Sequence, residues 1–237
     1  WTVGELPMNG GTFTNNGTFT VNSGSTLDCY GSGGVNVFTN NGSFTKQGAG
    51  PTQFNVSTTG VAFNNAGSVD VQGGTLAMNS GGSSTGTFAI PAATTLRLNG
   101  THTINGTNTL TGTGTVEVAG STTTLTGAHT MTASLVIIGT LNAAAALTTS
   151  AALSLSGTLT GSGDVTATGS LSWSGGAMSG AGTTIIAAGA TLSLTTTTHN
   201  LNRVLRNDGA ATWTVGELPM NGGTFTNNGT FTVNSGS

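Results

Sequence analysis

Charge is almost missing from this sequence. Its 237 residues include four Lys and Arg and seven Asp and Glu, for a net charge of −3, whereas about a quarter of an ordinary soluble domain is charged. No basic patch is available to neutralise phosphates, which excludes a nucleic-acid partner. The single cysteine, Cys29, rules out an internal disulfide. No apolar run approaches the ~18 residues of a membrane helix, so no membrane span is expected. Helical periodicity is nearly absent too. Ala143 to Ala152 is the only helix-like stretch, and Thr148 and Thr149 interrupt it. Hydrophobic residues make up 35% of the chain, which is low for a compact globule of this length and by itself points towards disorder. The patterning of those apolar residues argues otherwise.

Gly, Thr, Ser, Asn and Ala fill the composition, and they are arranged in repeats. Trp1 to Ser25 reads WTVGELPMNGGTFTNNGTFTVNSGS, and Trp213 to Ser237 is identical, at an offset of 212 residues. Either a parent protein repeats a unit of that length or the chain was assembled with an overlap. The first alternative makes 1–237 one continuous solenoid, with 1–212 a full unit and 213–237 the start of the next. Because Trp1 lies inside a repeat, the lack of a visible signal peptide carries no information about secretion. Within the unit, FTNNGTFTV (Phe13 to Val21) returns as FTNNGSFTK (Phe38 to Lys46) and FNNAGSVDV (Phe63 to Val71). Anchoring on Gly17, Gly42, Gly67, Gly86, Gly114, Gly139, Gly163, Gly182, Gly209 and Gly229 gives a mean step near 24 residues. Nine such steps fill the unit, an axial length of about 43 Å at the ~4.8 Å spacing of paired strands.

After these glycines, apolar and polar residues alternate, which is the signature of a strand with one buried face. Phe19 and Val21, Val69 and Val71, Phe88 and Ile90, and Val116 and Val118 form the first inward set, and Trp213 takes the inward position after Gly209. A second strand supplies Leu27 and Cys29, Leu76 and Met78, Leu96 and Leu98, Leu171 and Trp173, and Leu192 and Leu194. A less regular third contains Val35 and Val37, Val61 and Phe63, and Ile104. Thr18, Thr20, Asp70 and Glu117 then point outward. The predicted fold is all-β: a right-handed parallel β-helix of about 9–10 rungs of roughly 24 residues, with three short strands per rung. Two residues break the inward pattern, Lys46 and Thr184. Lys46 is expected at a strand end with its ammonium in solvent. Asn15, Asn40, Asn65, Asn207 and Asn227 fall into one column, read as a structural ladder of stacked amides.

The segments GTFTV, TGTGTVEV and AGATLSL resemble the repetitive β-helix regions of bacterial surface proteins, such as autotransporter passengers and filamentous-haemagglutinin-like adhesins. That resemblance implies secretion, a right-handed β-helix, and adhesion or surface display. It brings no catalytic residue with it.

Residues that could carry chemistry are few and scattered. The acids Glu5, Asp28, Asp70, Glu117, Asp164, Asp208 and Glu217 are scattered, with no pair placed for general acid–base work. No enzyme activity, cofactor or metal is therefore expected. His102, His129 and His199 share a local context and read as turn or strand-end residues. Cys29 reads as buried and inert. Trp173 sits in a core column, and Tyr30, beside a turn, is a candidate for an outward position. The expected role is structural: an extracellular, cell-surface fibre or stalk built head to tail from copies of itself, with other fibres or a host surface as further partners. A glycan-binding adhesin is the second reading. Ice binding, suggested by Thr18-x-Thr20, is the third, ranked last because Asp70, Glu117 and Asp164 interrupt the equivalent pairs.

Overall fold

A computed structural model describes residues 1–55, 59–196 and 198–234. Among these residues there is no helix, and every strand pairing is parallel. The chain coils as a β-solenoid of about eleven turns, roughly 20 residues apart, with three strands to each rung. Face A is one twelve-stranded sheet and face B one ten-stranded sheet. The third face, C, consists of a five-stranded and a six-stranded sheet placed end to end. The chain runs from A to B to C and back to A. The two sheets of face C meet between Leu110–Thr111 and His129–Met131. There Asn108 adopts a left-handed φ of 52°, and its Oδ1 accepts the Thr130 amide at 2.7 Å, standing in for a ladder carbonyl.

Rungs are more numerous and shorter than the glycine spacing suggests. The early step is 25 residues, as between Asn40 and Asn65, but it falls to 18 between Thr124 and Asn142. The anchoring glycines drift from face to face as the turns shorten. Gly17, Gly42, Gly67 and Gly86 precede strands of face C, Gly114, Gly209 and Gly229 precede strands of face A, and Gly139 precedes one of face B. Val116 and Val118 consequently stack on Leu96 and Leu98 of face A, not on the Phe19 and Val21 column of face C. Similarly, Val35 is 79% exposed and Phe38 takes the inward place expected of Val37. The helix-like stretch 143–152 is strand and turn: Thr140–Ala143, Leu147–Thr149 and Ala152–Leu155 belong to faces B, C and A.

Like residues stack on like in the core. Phe13, Phe38 and Phe63 lie nearly parallel on face B, at 4.9 and 5.3 Å between ring centroids. Phe19 stacks on Phe44 at 5.5 Å on face C. Val21, Val69, Val71, Phe88, Ile90, Val116, Val118, Leu27, Cys29, Leu76, Leu96, Leu171 and Leu192 are all buried. Phe19 and Trp213 also point inward but are only partly covered, since each lies near an end of the described coil. Each buried large side chain contributes about 1.5–3 kcal/mol, and every rung adds its own set. The turn glycines are fixed by rung-to-rung contact. A Cβ on Gly42 would strike the Gly17 carbonyl oxygen, and one on Gly67 would strike that of Gly42, so any larger residue would push the rungs apart.

Candidate functional site

Fully inward polar groups are the most distinctive feature of this hydrophobic core. On face B, Asn15 Nδ2 donates to Asn40 Oδ1 at 2.7 Å, and Asn40 Nδ2 to Asn65 Oδ1 at 2.8 Å. Asn40 also donates to the Ser68 carbonyl at 3.0 Å. The column then continues as Ser84 and Ile104, ending the amide ladder. Asn207 and Asn227 form an equivalent 2.7 Å bond, but on face C, with Ile186 as the preceding inward residue. The five asparagines are thus two ladders on two faces, not one column. The second Asn of each NNG turn makes its own bond outside, with Asn41 Nδ2 donating to Asn16 Oδ1 at 2.9 Å.

Lys46 differs from expectation. It does not reach solvent: the residue is 0% exposed, stacked between Val21 and Val71. Its Nζ donates to the carbonyls of Gln47, Gly48 and Gly73 at 2.8, 2.9 and 2.9 Å. Burial pushes its pKa below the usual lysine value. The alternation of the strand signals its inward direction, but only tertiary contact supplies the carbonyl cradle. Sequence reasoning missed Arg203 altogether. It is buried and donates to Gly182 O at 2.8 Å, Gly163 O at 3.1 Å and Ser179 O at 3.3 Å, tying together three successive rungs. Burial lowers its pKa, opposed by the nearby Asp164 charge. Thr184 is inward and buried, as the pattern requires, and its Oγ1 has no hydrogen-bond partner.

The three histidines are buried and dispersed. His102 lies on face B with Nε2 2.9 Å from the Met78 carbonyl. His129, on face C, has Nδ1 2.8 Å from Gly127 O and Nε2 2.9 Å from Thr109 Oγ1. Burial pushes both pKa values below the ordinary histidine value, against weaker backbone hydrogen bonds that raise them. His199 packs edge-on to Trp173 at 5.1 Å, with Nε2 2.8 Å from the Trp173 carbonyl. Burial raises the Cys29 thiol to about 12. Among the described residues no three His, Cys, Asp or Glu converge as a metal site.

The outward surface divides by face. Asp70 lies on face C and Glu117 on face A, so they are not equivalent positions of one face. Face A carries a shallow depression lined by Gln53, Asn55, Ala77, Asn79, Arg97 and Asn99. Asn79 Nδ2 donates to Gln53 Oε1 at 3.3 Å, and Arg97 Nε is 3.6 Å from Glu117 Oε1. Tyr30 borders this surface, half-buried and paired with Asn55. The described strands of face B carry no Asp, Glu, Lys or Arg. Their outward positions include Thr103, Thr122, Thr124, Thr140, Asn142, Thr158 and Thr160 on four consecutive rungs. Comparison with protein-family models, with curated proteins and with solved structures finds no match.

Proposed function

We propose that this chain is a length of structural rod, one period of a tandem β-solenoid that stacks end to end into an extracellular fibre or stalk. The observation that carries this reading is the pairing at the repeated segment. Its first copy closes a rung with Asn22 N donating to Trp1 O at 3.0 Å, and its second with Asn234 N donating to Trp213 O at 2.9 Å. The later copy is laid down on the preceding rungs with its ladder intact: Thr224–Asn227 pairs with Val204–Asn207 and Thr230–Val233 with Ala210–Trp213. A joint built like the interior favours a continuous rod over beads on a linker. Stacked rungs gain stability from each nearest-neighbour interface, so lengthening the coil by further units adds interfaces of the same kind. Imaging the native material tests the proposal: filaments with an axial unit near 50 Å, ten rungs and a fraction at ~4.8 Å each, are expected, and discrete globular particles would refute it. Immunolabelling of intact cells tests the surface location.

One observation favours the adhesin reading as a second use of the same rod. The depression on face A presents amides and a guanidinium over neighbouring rungs, with Tyr30 on the adjoining strand, donors and acceptors suited to sugar hydroxyls. Loss of glycan binding on Gln53→Ala with Arg97→Ala, with the fold retained, is the expected result.

A further inference from the structure

The repeated segment does not return to the face it started from. In its first copy, Leu6–Asn9 lies on face A, Thr12–Asn15 on face B and Thr18–Asn22 on face C. In its second copy, Glu217 and Pro219 accept backbone hydrogen bonds from His199 and Leu201 beside face B. Thr224–Asn227 then lies on face C and Thr230–Val233 on face A. Every piece has moved forward by one face while its local pairing is kept. Trp1 O receives the Asn22 amide on face C, and Trp213 O receives the Asn234 amide on face A. The 212-residue offset therefore spans ten full turns and one face.

We propose that successive units of the array are related by a one-face screw, and that the segment seated on the edge formed by Thr224–Asn227 and Thr230–Val233 is the next unit's copy of residues 26–50. This rests on the tandem-array reading. The edge formed by Thr224–Asn227 and Thr230–Val233 has the sequence of the edge formed by Thr12–Asn15 and Thr18–Val21. In this chain that edge is covered by Val37–Asn40 and Ser43–Gln47, with Phe13 on Phe38, Phe19 on Phe44 and Asn15 bonded to Asn40 at 2.7 Å. A copy of the same segment would meet the same hydrogen-bond register at the C-terminal edge, turned by one face.

The screw decides what the rod can offer a partner. The face A depression of one unit recurs on face B of the next and on face C of the one after, and three units bring it back to face A. At ~4.8 Å per rung, that return takes about 150 Å. Lateral partners meet equivalent sites on three sides. The threonine-rich patch of face B cannot extend along one side of the array, which weighs against a flat, one-sided target such as an ice plane.

The test uses this chain in a Cys29→Ala background with dibromobimane, which fluoresces strongly on bridging two neighbouring thiols. Thr212→Cys with Thr232→Cys places thiols on directly paired outward positions of face A. Arg206→Cys with Thr232→Cys tests the alternative, in which a whole number of turns would set Thr232 beside Arg206 on face C. A gain of bimane fluorescence for the first pair and background signal for the second is expected. Signal confined to the second pair overturns the screw, and so does background from both in protein whose circular dichroism matches the parent. This measurement reads the phase even if no filament exists. Image reconstruction of native filaments then reads the array: a long repeat near 150 Å supports the screw, and a unit that repeats without rotation overturns it.

Discussion

Replacing Asn40 by Leu isolates the energetic contribution of the inward amide ladder. Asn40 is fully buried. Its Oδ1 accepts from Asn15 at 2.7 Å, and its Nδ2 donates to Asn65 Oδ1 at 2.8 Å and Ser68 O at 3.0 Å. Leucine fills similar volume but offers none of these groups. Asn15 Nδ2 keeps its bond to Ser43 O at 3.0 Å, so it is only partly orphaned. Asn65 Oδ1 loses its donor from the rung below, and the Ser68 carbonyl loses its side-chain bond. An unmade buried hydrogen bond costs about 1–3 kcal/mol, so one full loss and two partial ones predict about 2–5 kcal/mol. Asn142→Leu is the control. Asn142 is half-buried and outward on face B, with one long bond of 3.4 Å to Thr124 Oγ1, and such surface changes fall within about 0.5 kcal/mol. Urea unfolding followed by fluorescence of the buried Trp173 gives both midpoints, compared at matched slopes because solenoids can unfold in stages. A midpoint shift for Asn40→Leu no larger than that for Asn142→Leu would refute the argument.

Four further outcomes are expected. His102 and His129 have folded pKa values depressed by burial, so the unfolded chain binds protons more readily. Stability is therefore fully present above about pH 6.5 and falls as pH drops from there towards the folded values. A denaturation midpoint that is flat from pH 7.5 to 5, or a slope unchanged in His102→Leu/His129→Leu, would contradict this. Lys46→Met leaves three carbonyl acceptors without their donor and should destabilise by about 1–3 kcal/mol in an otherwise apolar column; a stabilised variant in thermal melts would show that ammonium desolvation dominates. The Cys29 thiol, raised to about 12, should react with maleimide only at the rate of unfolding, and prompt modification of native protein at pH 7.5 would place it outside the core. Ice-recrystallisation assays of filaments should show no inhibition, because the one-face screw breaks the face B threonine patch at each unit.

The fold class is legible in the chain alone, because period-two alternation and internal identity are local. Phe19, Val21, Leu76 and Leu192 could be assigned inward positions from their neighbours alone. The same alternation puts Lys46 and Thr184 on inward positions. Which strand stacks on which emerges only when the rungs pack. Turn lengths vary between faces, and a glycine before a strand looks the same whichever face follows. Local pattern therefore groups Val116 with Phe19 and Asn207 with Asn40, whereas the ladders place each pair on different faces. Nor could the sequence place Arg203 in its cradle, since its acceptors at Gly163, Gly182 and Ser179 are backbone carbonyls, which every residue type carries and no side-chain pattern announces. The phase of the 212-residue repeat was hidden for the same reason: its length is written in the chain, but the face on which it lands depends on the sum of all the intervening turns.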